Sequence, residues 1–393
     1  MLTPSIVKTY CALLLLGNFM LFGFQLRRDL RFAGDTDFLA FYSAGQIFNN
    51  SRSRLYDQEL QKKTYELRTG DTGHALPYAY APWFVLPFSL LAKLSFIPAF
   101  LLWVLVSVAL VMGGYFLVWK VSDFPPQWKL PGLLVALAFP PFQIFTIRGG
   151  QVAAVGFFVL ALTFYLHRRE QKLVAGLVFA LMLYKPTLLL LLLPMMVITR
   201  QWRLLIGFAV GAITLSLLSL LLVGVEGLRG YVHILQTFYA ASNSPSSIFP
   251  MWYYIDLGAA IRLLTGRSIG ALRIVFLAGT VPLLWLAWRR LSLVPASWAL
   301  AVVGTLLFGV YTPLYDATLL ILVVMWARPE RIGSPLLLTL FLLPAFSKTI
   351  AGLTHVQVMT LALGWLSWKL YRSCDTLCDT NLNRSAGTAE GAR

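Results

Sequence analysis

Two carboxylates, Asp35 and Asp37, follow the first apolar segment of the chain and open its first long polar segment. Charges beside a membrane helix are usually cations that anchor it, so carboxylates at this place need another explanation. A carboxylate can act as a general base and take the proton of a reacting hydroxyl. The alternative is that both are solvated loop charges or cap the helix that follows.

The composition is that of an integral membrane protein. Of 393 residues, 58% are hydrophobic and only 12% are charged, whereas a soluble domain carries about 25% charged residues. The net charge of +16 does not indicate a nucleic-acid partner, because the cations lie in short clusters between apolar runs, as topology signals do. The three cysteines have neither metal-ligand nor disulfide spacing, so no metal site is predicted.

The apolar runs predict an all-α polytopic membrane protein with about 10–12 transmembrane helices. We predict one integral membrane domain over residues 1–371 and a disordered cytoplasmic tail over 372–393. The first helix lacks a small-residue cleavage site after it and is predicted to stay as a signal anchor. The predicted spans are 8–26, 98–119, 130–147, 151–167, 173–184, 187–199, 203–223, 273–288, 296–311, 314–327, 333–349 and 355–371.

The basic clusters between these spans all fall on one side, which the positive-inside rule makes cytoplasmic. Two long segments, 27–82 and 224–272, then lie on the outer face of the cell (inner) membrane. The turn at 148–151, the Lys185-Pro186 break and the segment 311–316 are predicted on the same side. A site built from them faces the periplasm or exterior.

Lys185 is a charged residue between two short apolar runs, and Pro186 prevents a regular helix there. A cation at membrane depth is costly and usually meets a partner or lines a wet cavity. We therefore expect Lys185 to bind an anionic ligand such as a lipid phosphate. The alternative is a cation at a helix end whose stem lies in the apolar region and whose head reaches water.

Further polar and aromatic residues on the predicted outer face are candidates for substrate binding. Arg148 could bind phosphate or anchor a helix at the interface, and Gln151 could bind sugar or phosphate or only begin a helix. Asp316 could accept a hydrogen bond from a sugar hydroxyl or cap a helix. Aromatic faces such as those of Tyr42 and Tyr315 can stack on a sugar.

A carboxylate base, nearby cations and many aromatic residues suit transfer of a sugar from a polyprenyl-phosphate carrier. The base takes the acceptor proton, and the cations stabilise charge on the departing phosphate. Neither a P-loop nor a dinucleotide fingerprint is present, which argues against a nucleotide-sugar donor. No cofactor is expected besides the lipid-linked donor as co-substrate, and the expected partners are a lipid or glycan acceptor and membrane lipid.

Several weak motifs occur in an order and spacing that resembles glycosyltransferase family 87, also known as domain-of-unknown-function family 2029, of the glycosyltransferase-C superfamily. The resemblance covers roughly residues 30–330. Its pieces are Asp37-x-x-x-Phe41-Tyr42-x-Ala44-Gly45, Leu55-Tyr56-Asp57, Tyr80-Ala81-Pro82 with Pro87, Gly150-Gln151, Ala175-Gly176, Lys185-Pro186 with Pro194, Arg200 to Arg203, and Thr312-Pro313 with Tyr315-Asp316.

This resemblance implies a glycosyltransferase-C-like bundle and a hexosyltransferase, similar to enzymes that use polyprenol-phosphate mannose. It also implies an Asp in the first outer loop as the catalytic base, and Asp37 is the matching position, with Asp35 as a supporting or alternative carboxylate. Residues two apart do not share a face of a helix. The pair is therefore badly placed for double displacement, and an inverting single displacement is predicted.

Two other functions fit the same pattern less well. A flippase or transporter of a lipid-linked glycan would use such a cavity without chemistry, and an inverted repeat between its halves would favour it. A membrane scaffold that assembles other enzymes would not need carboxylates and a cation on one face.

Overall fold

The prediction of an all-α protein is confirmed. A computed structural model describes residues 3–28, 36–69, 76–122, 124–243, 251–267 and 295–372, and its only β-type pairing in these ranges is an isolated bridge between Tyr254 and Pro313. The α-helices are α1 (Pro4–Arg28), α2 (Phe38–Asn50), α3 (Gln58–Thr69), α4 (Leu86–Leu91), α5 (Phe96–Trp119), α6 (Lys129–Ala138), α7 (Ala153–Arg168), α8 (Lys172–Phe179), α9 (Leu192–Ile198), α10 (Trp202–Asn243), α11 (Leu257–Thr265), α12 (Pro295–Phe308), α13 (Leu320–Ala327), α14 (Pro329–Ile332), α15 (Ser334–Thr354) and α16 (358–372).

Short 3₁₀ and π-helical segments interrupt or extend these helices. One of them, Phe142–Arg148, has π-helical hydrogen bonding. The 3₁₀ segments are Arg52–Arg54, Pro82–Val85, Pro126–Trp128, Ala180–Tyr184, Pro186–Leu189, Met251–Tyr253 and Leu314–Leu319.

The protein is polytopic. Among the described residues, four helices are long and apolar enough to cross a membrane, and a fifth span results if one bent helix pair is counted. The four are Pro4–Phe24, Phe96–Trp119, Trp202–Thr237 and Ser334–Thr354. Six further apolar helices are shorter, with 10–17 residues. The predicted number of spans stays a prediction, and the predicted span 273–288 lies outside the described residues.

One long helix differs from its predicted length. The apolar run at 203–223 predicted a span that ends before a polar segment, but α10 continues to Asn243. Gly224 interrupts it with a positive φ of 69° and a ψ of −177°. Such a conformation is readily available only to glycine. The chain therefore kinks where the hydrophobic run ends and remains helical beyond it.

The chain forms two compact units. Unit 1 comprises Met1–Pro186 and Ile206–Phe249, and unit 2 comprises Thr187–Leu205 and Pro250–Arg393. The prediction of one domain over 1–371 and a disordered tail stays a prediction.

In unit 1, α2 lies in close contact with α4. A Cβ added at Gly45 would meet the carbonyl oxygen of Phe88, so glycine permits this approach. At the end of α2, Asn49 Nδ2 donates a hydrogen bond to the carbonyl of Ser89 at 2.8 Å. Large apolar side chains of α1, such as Phe19 and Phe24, are exposed, as expected for a helix that faces lipid.

In unit 2, side-chain hydrogen bonds join the C-terminal helices to the segment 252–255. Gln357 Nε2 donates to the carbonyls of Trp252 (3.0 Å) and Tyr254 (2.9 Å), while Ser347 Oγ donates to Gln357 Oε1 at 2.6 Å. Thr360 Oγ1 donates to the carbonyl of Ile255 at 2.8 Å. A buried polar network of this kind is stable because its groups satisfy one another.

Candidate active site

Asp37 is half-buried at the start of α2, and its carboxylate makes no capping hydrogen bond to that helix. The capping alternative therefore does not describe its side chain. Phe38, the next residue, is fully buried, and its backbone N–H donates to the carbonyl of Gly149 at 3.1 Å. This bond fixes the start of α2 beside the turn that follows the π-helical segment. Asp35 lies outside the described residues.

The turn at 149–151 is produced by an irregular helix. Pro140 and Pro141 follow one residue after the end of α6, and the chain bends by 62° between Pro126–Ala138 and Phe142–Arg148. Proline removes a backbone donor and interrupts a helix, and a π-helical turn often occurs at functional sites. The local sequence thus ends a membrane helix early and presents its last residues to the start of α2.

Gly150 allows the two segments to touch. Its φ is +71°, and an added Cβ would meet the Cβ of Phe38 and lie 3.1 Å from Cε2 of Phe100. Trp103 Nε1 donates to the carbonyl of Gly150 at 3.0 Å. Glycine is the residue that tolerates both this backbone conformation and this proximity.

The consequence is a direct contact between two of the predicted site residues. Gln151 Nε2 donates to Asp37 Oδ2 at 2.7 Å, across 114 residues of sequence. The length lies within the usual range of an N–H···O hydrogen bond. Gln151 is only 7% exposed, so the amide has little access to water.

Two polar atoms in this turn lack partners among the residues that the structure describes. They are Oε1 of Gln151 and Nε of Arg148, and both atoms are buried. Burying a hydrogen-bonding group without a partner is unfavourable, and it is more so for a charged one. The segment that contacts Asp37 therefore offers one unsatisfied acceptor and one unsatisfied cationic donor.

Aromatic side chains surround the start of α2. The ring of Phe38 lies 5.5 Å from that of Phe100, 5.6 Å from Phe96 and 6.5 Å from Trp103. Tyr42 is buried, its ring meets Phe96 edge-on at 5.2 Å, and its hydroxyl donates to the carbonyl of Leu94 at 2.8 Å. Tyr42 thus belongs to this buried aromatic cluster, and its predicted role in sugar binding stays a prediction.

The motif Leu55-Tyr56-Asp57 is held by buried tyrosines. Tyr56 donates its hydroxyl proton to the carbonyl of Tyr80 at 2.6 Å, and Gln61 Oε1 accepts from the backbone N–H of Tyr78 at 2.9 Å. Burial raises the pKa of Tyr56 and of Tyr78 well above the usual value. Asp57 in the same motif has a lowered pKa, mainly because the N–H of Leu60 donates to it.

Lys185 is buried, with 7% exposure, directly after a 3₁₀ segment that ends at Tyr184. Tyr184 stacks on Tyr80 with ring centroids 6.2 Å apart and an interplanar angle of 4°. Tyr80 in turn lies 5.1 Å from Phe41 of α2. A continuous set of ring contacts therefore joins the Lys185 break to the helix that begins at Asp37.

The model of glycosyltransferase family 87 matches residues 78–314, more than half of the chain. The chain belongs to glycosyltransferase family 87. No curated protein and no solved structure matches it significantly. The protein is thus a membrane-embedded member of a glycosyltransferase family.

The family 87 match includes Arg148, Gln151 and Lys185 but begins after Asp37 and Tyr42. It ends just before Tyr315 and Asp316. The link of Asp37 to the family residues therefore rests on its hydrogen bond to Gln151.

Unit 2 contains the remaining predicted site residues, Tyr315 and Asp316, in the 3₁₀ segment Leu314–Leu319. Both are buried, with 5% and 2% exposure, and the ring of Tyr253 lies 6.4 Å from that of Tyr315. Pro313 is the N-cap residue of this segment, and Asp316 lies in its first turn. Their predicted contact with substrate stays a prediction.

Two structurally important residues were missed by reasoning from sequence. Trp103 bonds to Gly150 and lies within a uniformly apolar run, where no pattern marked it. Asp256 is 1% exposed, caps α11 through the N–H of Ala259 at 2.9 Å, and accepts from the N–H of Thr312 at 3.3 Å. An aspartate followed by an apolar helix is a recognisable cap signal and could have been found.

Proposed function

We propose that the protein transfers a hexose, with mannose as the first candidate, from a polyprenyl-phosphate carrier to a lipid or glycan acceptor. The active site faces the periplasm or exterior of the cell membrane, and Asp37 is the general base. The observation that carries the proposal is the hydrogen bond between Asp37 and Gln151, which joins a carboxylate outside the family match to a residue inside it.

Asp37 suits the role of base because it is a carboxylate at the contact between α2 and the turn that lies within the family match. It does not cap the helix, and one of its oxygens is held by an amide while the protein keeps it half-buried. The acceptor oxygen attacks the anomeric carbon as its proton passes to Asp37. The bond from that carbon to the phosphate oxygen breaks, and the electron pair leaves with polyprenyl phosphate.

The leaving phosphate needs positive charge near it. Arg148 supports this role because its buried Nε has no hydrogen-bond partner among the described residues. Lys185 is the second candidate, since it is a buried cation in the same unit and is joined to α2 through ring contacts. A phosphate monoester or diester would give the buried Nε of Arg148 an acceptor.

The rest of the proposal follows the chemistry of a lipid-linked donor. No metal or organic cofactor takes part, and the partners are the polyprenyl-phosphate sugar, the acceptor and the membrane lipids. Because a single carboxylate acts as base, the reaction inverts the anomeric configuration.

The test is incubation of the purified protein in lipid nanodiscs with a panel of polyprenyl-phosphate hexoses and octyl glycoside acceptors. We expect one donor to give a glycoside product of opposite anomeric configuration, identified by mass spectrometry and NMR. A product of retained configuration would refute the single displacement. Movement of a labelled donor across vesicles without any product would instead favour the flippase alternative.

A further inference from the structure

The side chain of Gln151 has two ends with different surroundings. Its Nε2 donates to Asp37 Oδ2 at 2.7 Å. Its Oε1 is buried and has no hydrogen-bond partner among the residues that the structure describes. The orientation of the amide follows from chemistry, because an ionised carboxylate only accepts hydrogen bonds and must face the NH₂ group.

The peptide bond between Gly150 and Gln151 is held by hydrogen bonds at its N–H and at its carbonyl, which fixes the backbone that carries the Gln151 side chain. The N–H of Gln151 donates to the carbonyl of Phe145 at 3.1 Å, and the preceding carbonyl of Gly150 accepts from Trp103 at 3.0 Å. The side chain itself is 7% exposed. A buried acceptor held in one place is costly unless a ligand satisfies it.

The group that satisfies Oε1 must be a hydrogen-bond donor that arrives beside Asp37. Under the proposed function, the molecules that come to this carboxylate are a sugar donor and a hydroxylated acceptor, and both are rich in hydroxyl groups. A cationic ligand is a poorer match for Oε1, because the positively charged Arg148, whose Nε lacks a partner, lies three residues away in the sequence.

We propose that Gln151 is a positioning residue with two contacts, one to the base Asp37 and one from Oε1 to a second hydroxyl of the bound sugar substrate. The first contact orients the carboxylate of Asp37. The second contact makes the site selective for a substrate that carries a hydroxyl next to the reacting centre. The inference rests on the proposed function and adds a determinant of specificity to it.

Gln151→Met tests both contacts, because it keeps the length of the side chain and removes both polar atoms. The matched control is Gln143→Met, which removes an amide from the neighbouring π-helical segment, where Gln143 donates to the carbonyl of Leu137. Both variants are compared with the wild type in nanodiscs, after thermal melting has shown that they fold.

The first readout is the pH dependence of donor hydrolysis by water. The bond from Nε2 favours ionised Asp37, so its loss shifts the acidic limb of the rate profile of Gln151→Met to higher pH. The rate at the optimum falls by about 10- to 100-fold through loss of alignment. Gln143→Met keeps the wild-type profile. An unshifted profile in Gln151→Met would overturn the contact to the base.

The second readout is discrimination against substrates that lack one hydroxyl. Monodeoxy analogues of the donor are compared in hydrolysis, and monodeoxy octyl glycosides are compared as acceptors in transfer. In the wild type, removal of one particular hydroxyl lowers kcat/KM by about 3- to 10-fold, as loss of one neutral hydrogen bond does. In Gln151→Met the same removal has no further effect.

The arm in which this loss occurs tells whether the hydroxyl belongs to the donor or to the acceptor. If wild type and Gln151→Met lose the same factor for every missing hydroxyl in both arms, the contact from Oε1 is refuted. If the wild type neither hydrolyses nor transfers any donor of the panel, the proposed function fails first. If the wild type is active and Gln151→Met matches it in both readouts, only this inference fails.

Discussion

At the residue scale, Asp37 differs from Asp57 and Asp256 in the hydrogen bonds of its carboxylate. Asp57 accepts from the N–H of Leu60 at 3.0 Å and pairs with Arg54 at 2.6 Å, and Asp256 caps α11. Both of these carboxylates stabilise local backbone. Asp37 makes no such cap and instead bonds to the side chain of Gln151. The carboxylate of Asp37 is thus held by a tertiary contact and does not cap its own helix.

Lys185→Met is expected to weaken use of the donor, because the variant loses a buried cation proposed to meet the phosphate. We expect KM for the polyprenyl-phosphate sugar to rise by about tenfold or more, which corresponds to roughly 1.4 kcal/mol. The measurement is transfer rate against donor concentration. Methionine keeps most of the apolar stem, so packing is largely preserved.

The control for Lys185→Met is Lys93→Met, which removes an exposed cation of the same unit. It should leave KM unchanged. An unchanged KM in Lys185→Met itself, in a protein with wild-type melting behaviour, would mean that Lys185 has a structural role.

At the element scale, the contact between α2 and the turn at 149–151 depends on Gly150. Gly150→Ala places a Cβ against the Cβ of Phe38 at a positive φ of +71°. Strained backbone and overpacking together cost about 2–4 kcal/mol. We expect a lower melting temperature and a fall in transfer rate greater than the loss of folded protein, since Asp37 and Gln151 move apart.

Gly17→Ala in α1 is the matched control, because an added Cβ there has no atom within 4 Å. Alanine favours the helix more than glycine does, so the melting temperature should stay the same or rise slightly. Equal behaviour of the two variants would contradict the close approach at Gly150.

The tyrosine motif gives an expected pH dependence. The pKa of Tyr56 is raised by burial, so the folded state favours the neutral phenol more than the unfolded state does. This preference for the neutral phenol stabilises the folded state fully below the pKa of tyrosine in the unfolded chain, about 10. The stabilisation is lost as the pH rises towards the pKa of Tyr56 in the folded state. We expect unit 1 to lose stability above about pH 10, with tyrosinate absorbance rising as it unfolds.

Tyr56→Phe separates the hydrogen bond from the burial of the ring. It removes the donor to the carbonyl of Tyr80 and should lower stability at neutral pH by about 1 kcal/mol. It should also reduce the alkaline loss of stability. An alkaline unfolding curve identical to that of the wild type would show that another group controls it.

The sequence predicted those elements that follow from uniform apolar runs. The span 98–119 matches α5, Phe96–Trp119, within two residues, because a long run of this kind has few alternatives. The π-helical segment could not be predicted, nor could the contact of Gln151 with Asp37. These two residues lie 114 positions apart, and no local pattern specifies such a tertiary contact.

The continuation of α10 past residue 223 was missed for a related reason. Hydropathy reports where a helix leaves the apolar region, not where it ends. At that boundary Gly224 adopts φ 69° and the helix resumes. Charged residues such as Glu226 and Arg229 follow, and their low hydropathy predicts a polar loop.

At the scale of the whole molecule, the side of the membrane that the candidate site faces determines which donor it can use. The one-sided basic clusters predict that residues 27–82 are outside and that the cluster at 167–172 is cytoplasmic. In a cysteine-free background, Lys63→Cys should react with a membrane-impermeant maleimide in intact cells or spheroplasts. Both Lys63 and the comparison residue Arg169 are exposed.

Arg169→Cys should react only after the membrane is opened. Labelling of Arg169→Cys from outside, or of Lys63→Cys only in opened cells, would place the candidate site on the cytoplasmic face. A polyprenyl-phosphate donor presented on the outer face would then be the wrong substrate.

The central claim is that Asp37 is the general base. The measurement that tests it most directly is the rate of hexose transfer by Asp37→Asn in nanodiscs. The control is Glu66→Gln, which removes a half-buried carboxylate of α3 that pairs with Lys62. Asparagine keeps the shape of the side chain but cannot take a proton at neutral pH. We predict a fall in kcat of about 10²-fold or more, with donor binding kept, while Glu66→Gln and Asp35→Asn retain activity. Transfer by Asp37→Asn at the wild-type rate would contradict the claim.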